Sequence, residues 1–178
     1  MKIISTSFIL SVLLTVSPSF SSGTNKHHGE KVLIDSSKRK KLVKKEKEEI
    51  VAVFKANEEL HMAFFDFNAL KIESKAQVVK KLMEKVSHKQ LKKMLTFSVK
   101  KLGEMKATAP RDELNQNYNL VSMALIHLLK KYDIEGSYNA YYCPMKKKSW
   151  IQNSTKIAKV HNPYAGDMPY CGSQKTQF

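Results

Sequence analysis

Five side chains near the C-terminal end of the chain have the chemistry to bind a soft metal ion. They are two thiols, two thioethers and one imidazole: Cys143, Met145, His161, Met168 and Cys171. Two thiolates with two thioethers form a ligand set that selects Cu(I) or Ag(I) over hard cations. Neither cysteine belongs to a CxxC pair, and structural zinc sites prefer four Cys or His ligands at closer spacing. The pattern therefore predicts a soft-metal site, with His161 as an optional fifth ligand.

The same two thiols support a second interpretation. Cys143 and Cys171 are the only cysteines in the chain. In an oxidising compartment the default is a disulfide between them, which stabilises the fold by about 3.6 kcal/mol on the chain-entropy estimate. A metal could then bind only while the thiols are reduced. Both interpretations need the two sulfurs to lie close together.

The segment around these side chains is rich in residues that fix local shape. Residues 141–172 contain the only tryptophan, four of the seven tyrosines and three of the five prolines. Turn chemistry must therefore determine much of its structure. We predict that the following residues hold this lobe together by packing and turn formation: Trp150, Asn162, Pro163, Tyr164, Gly166 and Gly172.

Four amphipathic helices are predicted to carry this lobe, because apolar residues recur at helical spacing in four successive segments. The stripes are Val43, Ile50, Val53, Phe54 and Phe64, with His61 on the same face; Ile72, Ala76, Val79, Met83 and Val86; Leu91, Met94, Leu95, Leu102 and Met105; and Leu114, Tyr118, Val121, Leu125, Leu128 and Tyr132. Ser87 and Gln90 form a predicted capping box before the third helix, and Pro110 marks the start of the fourth. Short connections predict an all-α fold, an antiparallel four-helix bundle.

The chain divides into a leader, a tail and one domain. Residues 1–22 have a basic start, an apolar run and small residues, the pattern of a signal peptide. Residues 23–41 read as a flexible mature N-terminus, and 42–178 as a single domain. That domain comprises the bundle at 42–135 and an irregular Cys/Met lobe at 136–178. Two stretches of the lobe, 137–142 and 149–152, are candidates for the strands of a short β-hairpin.

The charge of the chain indicates a solvated surface, and the leader predicts that the mature protein lies in the periplasm or outside the cell. The formal net charge is +15, and only Arg39 and Arg111 are arginines. Reading of nucleic acid bases favours the arginine fork, so no nucleic-acid partner is predicted. We expect membrane contact only through the leader or through the lysines, which could also attract an acidic partner.

No enzymatic activity is predicted. The sequence shows no Ser-His-Asp arrangement, glycine-rich phosphate loop, HExxH motif or paired-carboxylate motif. A nucleophilic pair of His161 with Cys143 or Cys171 is the one conceivable arrangement, since catalytic thiols need only spatial adjacency.

The lobe resembles the bacterial domain-of-unknown-function 3347 family. The residues that carry the resemblance are Tyr142-Cys143-Pro144-Met145, Trp150, Asn162-Pro163-Tyr164, Gly166, Met168 and Cys171-Gly172, with a weaker likeness at Tyr118, Val121, Ser122 and Leu125. Members of this family are small exported proteins or domains attached to periplasmic adaptor subunits of copper and silver efflux systems. The resemblance implies a role in heavy-metal handling outside the cytoplasm, with an efflux-pump adaptor or a metallochaperone as partner.

Overall fold

A computed structural model describes residues 32–33, 38–134 and 137–178. The predicted signal peptide and much of the predicted flexible N-terminus lie outside these residues. The elements are β1 (Val32–Leu33), α1 (Lys44–Phe65), α2 (Ala69–Lys85), α3 (Lys89–Gly103), α4 (Arg111–Lys131), β2 (Tyr138–Cys143), β3 (Lys148–Asn153), β4 (Ser173–Gln174) and β5 (Thr176–Gln177). Among the described residues, no helix combines the length and apolar character needed to cross a membrane.

The four predicted helices are confirmed, and a polar side chain caps the start of α2 and of α3. Asn68 accepts a hydrogen bond from the Lys71 amide and caps α2. The fourth helix starts directly after Pro110, as predicted.

The predicted capping box at α3 is wrong. His88, not Ser87, is the N-cap residue, and its Nδ1 accepts from the Leu91 amide at 3.2 Å. The Ser87 amide and hydroxyl instead donate to one carboxylate oxygen of Glu49 at 2.7 and 2.8 Å. Hydrogen bonds to an ionised group are about twice as strong as those between neutral groups. Ser87 therefore donates to the Glu49 carboxylate on α1 instead of capping α3. The hydrogen bond from the Ser87 amide is the largest cause that lowers the pKa of Glu49.

The apolar faces of the helices meet in one core. Each helix packs on the next in the chain, and Phe64 of α1 stacks on Tyr118 of α4 with ring centroids 4.4 Å apart. Nearly all members of the predicted stripes are buried; Val43 is an exception at 64% exposed, because it precedes the first turn of α1. Burying each large apolar side chain is worth about 1.5–3 kcal/mol, so this core is the main source of stability.

A three-stranded antiparallel sheet covers α4, in the order β3-β2-β4. The predicted hairpin is confirmed as β2 and β3, paired from Tyr138 opposite Asn153 to Cys143 opposite Lys148. The third strand, β4, was not predicted. The fold is therefore mainly α-helical rather than all-α.

Part of the predicted N-terminal tail contacts the folded domain. Strand β1 pairs in parallel with β5 near the C-terminus. The Arg39 side chain is buried and donates to the Asp133 carboxylate at 3.0 Å, while its guanidinium lies 4.4 Å from the Phe178 ring centroid. These contacts join both ends of the described chain to the region that follows α4.

Candidate functional site

One end of the three-stranded sheet brings the two cysteines together. Cys143 is the last residue of β2, and Cys171 precedes β4, whose Ser173 pairs with Tyr142. The two Sγ atoms are 3.0 Å apart, and both cysteines are free. Cys143 is fully buried and Cys171 is half-buried. The pair therefore forms a dithiol with one thiol inside the fold and one at its surface.

The separation of the sulfurs lies between the distances that the two interpretations need. A disulfide bond requires about 2.05 Å. Two thiolates on one tetrahedral ion, at about 2.3 Å each, are about 3.8 Å apart. Each state is thus within about 1 Å of the observed arrangement.

Main-chain amides approach both sulfurs. The Lys146 amide donates to Cys143 Sγ over 3.4 Å. The Met145 amide donates a hydrogen bond to the Cys171 thiol. The hydrogen bond with Cys143 raises the pKa of Cys171, burial raises it further, and the Met145 amide opposes both effects. The Cys171 thiol therefore keeps its proton at neutral pH, and a bound metal must displace it. The amides then remain as donors that stabilise the thiolates.

The two methionines of the predicted ligand set lie in the turns next to the cysteines. Met145 is in the turn between β2 and β3 and is 67% exposed. Met168 is half-buried, and its carbonyl accepts from the Cys171 amide at 3.0 Å. Both thioethers are therefore on short segments that are continuous with the thiols.

His161 lies against α1. Its ring stacks on Phe65 with centroids 3.6 Å apart and faces His61 at 6.1 Å. Burial lowers the pKa of His161, and the Asp66 carboxylate opposes that effect. Across 32–33, 38–134 and 137–178, no three His, Cys, Asp or Glu side chains are grouped so that they could hold a metal ion. A ligand set that combines His161 with both cysteines would therefore require this ring to leave its stack.

Asn162 fixes the position of Cys171. It is buried, its Nδ2 donates to the Cys171 carbonyl at 2.8 Å, and its Oδ1 accepts from the Tyr164 amide at 2.9 Å. Pro163, between the two, is buried as well. The Tyr164 hydroxyl donates to the Ser149 carbonyl at 2.8 Å, which ties the same loop to β3.

Trp150 is the apolar centre of the lobe. It is fully buried, stacks on Tyr141 at 5.7 Å and meets Tyr164 edge-on at 6.2 Å. Gly172 lies directly against its ring, whereas Gly166 is exposed beside Arg111 of α4.

Sequence reasoning missed Gln152, which organises the loop at 154–161. Its side-chain amide nitrogen Nε2 donates to the carbonyls of Ile157 and Lys159 at 2.8 and 2.6 Å. Its Oε1 accepts from the His161 amide at 3.0 Å. The residue is only 2% exposed. The one available signal was a glutamine in a strand next to tryptophan and isoleucine, which does not distinguish a buried amide from a solvated one.

Fold and site together define a mainly helical protein with a dithiol at one end of its small sheet. No family model, curated protein or solved structure matches the chain.

Proposed function

We propose that the protein is an exported accessory protein that binds a soft monovalent ion, Cu(I) or Ag(I), between Cys143 and Cys171 when both are reduced. The approach of the two sulfurs to 3.0 Å carries the proposal. The main-chain amides of Met145 and Lys146 support it, because hydrogen bonds that they donate to the sulfurs stabilise the thiolate form. Met145 and Met168 supply the thioethers, and His161, which is stacked on α1, receives no role.

The resemblance to the domain-of-unknown-function 3347 family supports a place in heavy-metal tolerance or efflux. On that basis the partner is an efflux-pump adaptor or a metallochaperone outside the cytoplasm. The helices are proposed to form an antiparallel bundle, which is supported by the packing of each helix on the next. No enzymatic step is proposed.

A second candidate function is a disulfide-closed interaction module that holds no metal. It is favoured by the full burial of Cys143, because a buried thiol beside a partner thiol is protected once it is oxidised. In that case the loop at 162–166 shapes the recognition surface, and the lysines attract an acidic partner or surface.

The oxidation state of the native protein distinguishes the two candidates. Free thiols would be counted in protein taken from its own compartment; two thiols favour the metal site, and none favours the disulfide. Reduced protein would then be titrated with Cu(I) under anaerobic conditions, in parallel with a Cys143→Ser variant. Because the chain has no other cysteine, this variant removes half of the thiolate ligands. Equal Cu(I) affinity in the two proteins would end the metal proposal.

The thioethers have a matched control. Met145 and Met123 are both exposed, at 67% and 55%, but Met123 lies on α4 outside the lobe. Met145→Leu should weaken Cu(I) binding, whereas Met123→Leu should leave it unchanged. The same loss in both variants would show that the thioether at 145 is not a ligand.

A further inference from the structure

The outer side of α3 carries a row of exposed lysines. Residues that recur at alternating spacings of three and four lie on one side of a helix. Six exposed residues of α3 follow this spacing, and we call them the basic face: Lys89, Lys92, Lys93, Thr96, Phe97 and Lys100. The opposite side of the helix, with Leu91, Leu95 and Leu102, is buried in the core. The core therefore fixes which side of α3 meets the solvent.

No acid offsets the charge of the basic face. Of the four helices, α3 alone contains no Asp or Glu. Glu104 directly follows α3, but its carboxylate pairs with Lys101 at 2.6 Å. The four lysines of the basic face form no ion pair with any carboxylate in the part of the chain that the structure describes. Four unpaired positive charges therefore share one side of one helix.

Phe97 distinguishes this face from an ordinary solvated surface. Its side chain is 54% exposed, and it lies between Lys93 and Lys100 along the same side of the helix. Among the described residues, it is the one phenylalanine whose ring is largely exposed to solvent. An exposed aromatic ring among lysines favours a partner that combines negative charge with an apolar phase.

An anionic lipid surface has both of these properties. Each lysine near such a surface strengthens binding about fivefold. Aromatic side chains on the same face of a helix enter the boundary between the lipid headgroups and the acyl chains. A soluble acidic polysaccharide has the negative charge but no apolar phase, so it would leave the Phe97 ring in water.

We propose that the basic face of α3 docks the protein on membranes that contain anionic lipids. The four ammonium groups lie against lipid phosphates, and the Phe97 ring enters the boundary beneath them. The helix lies along the membrane plane, because its lysines extend from Lys89 to Lys100. Neither cysteine belongs to this face, so the docking is independent of the state of the dithiol.

The test is sedimentation of the whole mature protein with two kinds of vesicle. One kind is pure phosphatidylcholine, and the other contains about one-quarter phosphatidylglycerol. The protein should bind the anionic vesicles at least about tenfold more tightly than the neutral ones, and added salt should weaken this binding. Equal binding to both kinds, or no binding to the anionic vesicles, would overturn the proposal.

A pair of double variants separates the basic face from net charge. Lys92→Gln with Lys93→Gln should weaken binding to the anionic vesicles about 25-fold, since two lysines are lost. Lys147→Gln with Lys159→Gln removes the same charge from exposed positions in the lobe and should leave binding nearly unchanged. An equal loss in both double variants would show that net charge, and not this face, attracts the lipid.

A second pair tests insertion of the ring. Phe97→Ala should weaken binding to the anionic vesicles at least about fivefold, because the apolar contact is lost. Met123→Ala is the matched control, since Met123 is 55% exposed on α4, and it should bind as the wild type does. Both side chains are exposed, so neither substitution disturbs the core. Full affinity in Phe97→Ala would overturn the membrane assignment in favour of a soluble polyanion, for which dextran sulfate is the probe.

Discussion

Gly172 and Trp150 are in such close contact that only glycine fits. A Cβ at position 172 would lie 2.7 Å from Cη2 of Trp150 and 3.0 Å from the Tyr142 carbonyl oxygen. The residue also has a φ of +140°, which side chains with a Cβ rarely adopt. This contact packs the residue after Cys171 against the centre of the lobe, so the position of the thiol depends on it.

Gly172→Ala is expected to lower the free energy of unfolding by about 3 kcal/mol, because backbone strain and overpacking each cost about 1–3 kcal/mol. Urea unfolding measures the loss. Gly103→Ala, at the end of α3, is the matched control, since its added Cβ would lie 3.6 Å from Cε of the flexible Lys80 side chain on α2. That variant should be neutral or slightly stabilised. A similar loss in both variants would contradict the close contact at Gly172.

Stability should fall in mild acid because of His61. This residue is 2% exposed; burial lowers its pKa to about 3, and the neighbouring His161 contributes to the shift. In the unfolded chain its pKa is about 6.5. The unfolded state therefore binds more protons below that pH, and unfolding becomes easier as the pH drops. Between pH 7 and pH 5 the expected loss from His61 is about 2 kcal/mol.

The His61 contribution is measured as a difference between variants. Urea unfolding at pH 7 and pH 5 should show a smaller acid loss in His61→Gln than in the wild type. His127→Gln, which changes an exposed histidine on α4, serves as the control. If His61→Gln keeps the whole pH dependence, the buried histidine is not its source.

The helices could be predicted from the sequence because each one buries a continuous stripe against the same core. The hairpin could also be predicted, since its strands are rich in aromatic residues. Strand β4, Ser173–Gln174, could not, because two polar residues carry no periodicity. It exists because the contact of Gly172 with Trp150 places this segment beside β2.

The candidate site was predictable only in part. The two sulfurs stand out by residue type, and their proximity follows from the pairing of β2 with β4. The position of His161 does not follow from residue type, because an imidazole beside sulfur ligands reads as a ligand. In the fold its main-chain amide bonds to Gln152 Oε1 and its ring packs on Phe65. That placement depends on a buried amide that no spacing rule identifies.

Glu58 connects α1 to the hairpin, and removal of its carboxylate should lower the free energy of unfolding. Its carboxylate accepts from the Tyr138 hydroxyl, from Asn153 Nδ2 at 3.1 Å and from Lys156 Nζ at 2.6 Å. Burial acts to raise the pKa of Glu58, but the hydrogen bonds from Lys156, Tyr138 and Asn153 outweigh it and lower the pKa. Glu58→Ala should cost about 2–3 kcal/mol in urea unfolding.

The adjacent Glu59 is the control for that loss. Within the part of the chain that the structure describes, its carboxylate forms one exposed ion pair, with Lys75 at 3.3 Å. Glu59→Ala should therefore change stability by less than about 0.5 kcal/mol. Equal effects of the two substitutions would mean that the Glu58 hydrogen bonds add nothing beyond a surface charge.

One substitution in the turn between β2 and β3 should raise the stability of the protein. Lys147 has a φ of 52°, in the left-handed region that costs a non-glycine residue about 1–2 kcal/mol. Glycine removes this cost but loses about 0.5–1 kcal/mol through the greater freedom of the unfolded chain. Lys147→Gly should therefore stabilise the protein by about 0.5 kcal/mol, whereas Lys146→Gly, at a position without a positive φ, should destabilise it. Thermal unfolding of the two variants measures both signs, and a lower melting temperature for Lys147→Gly would contradict the strain in this turn.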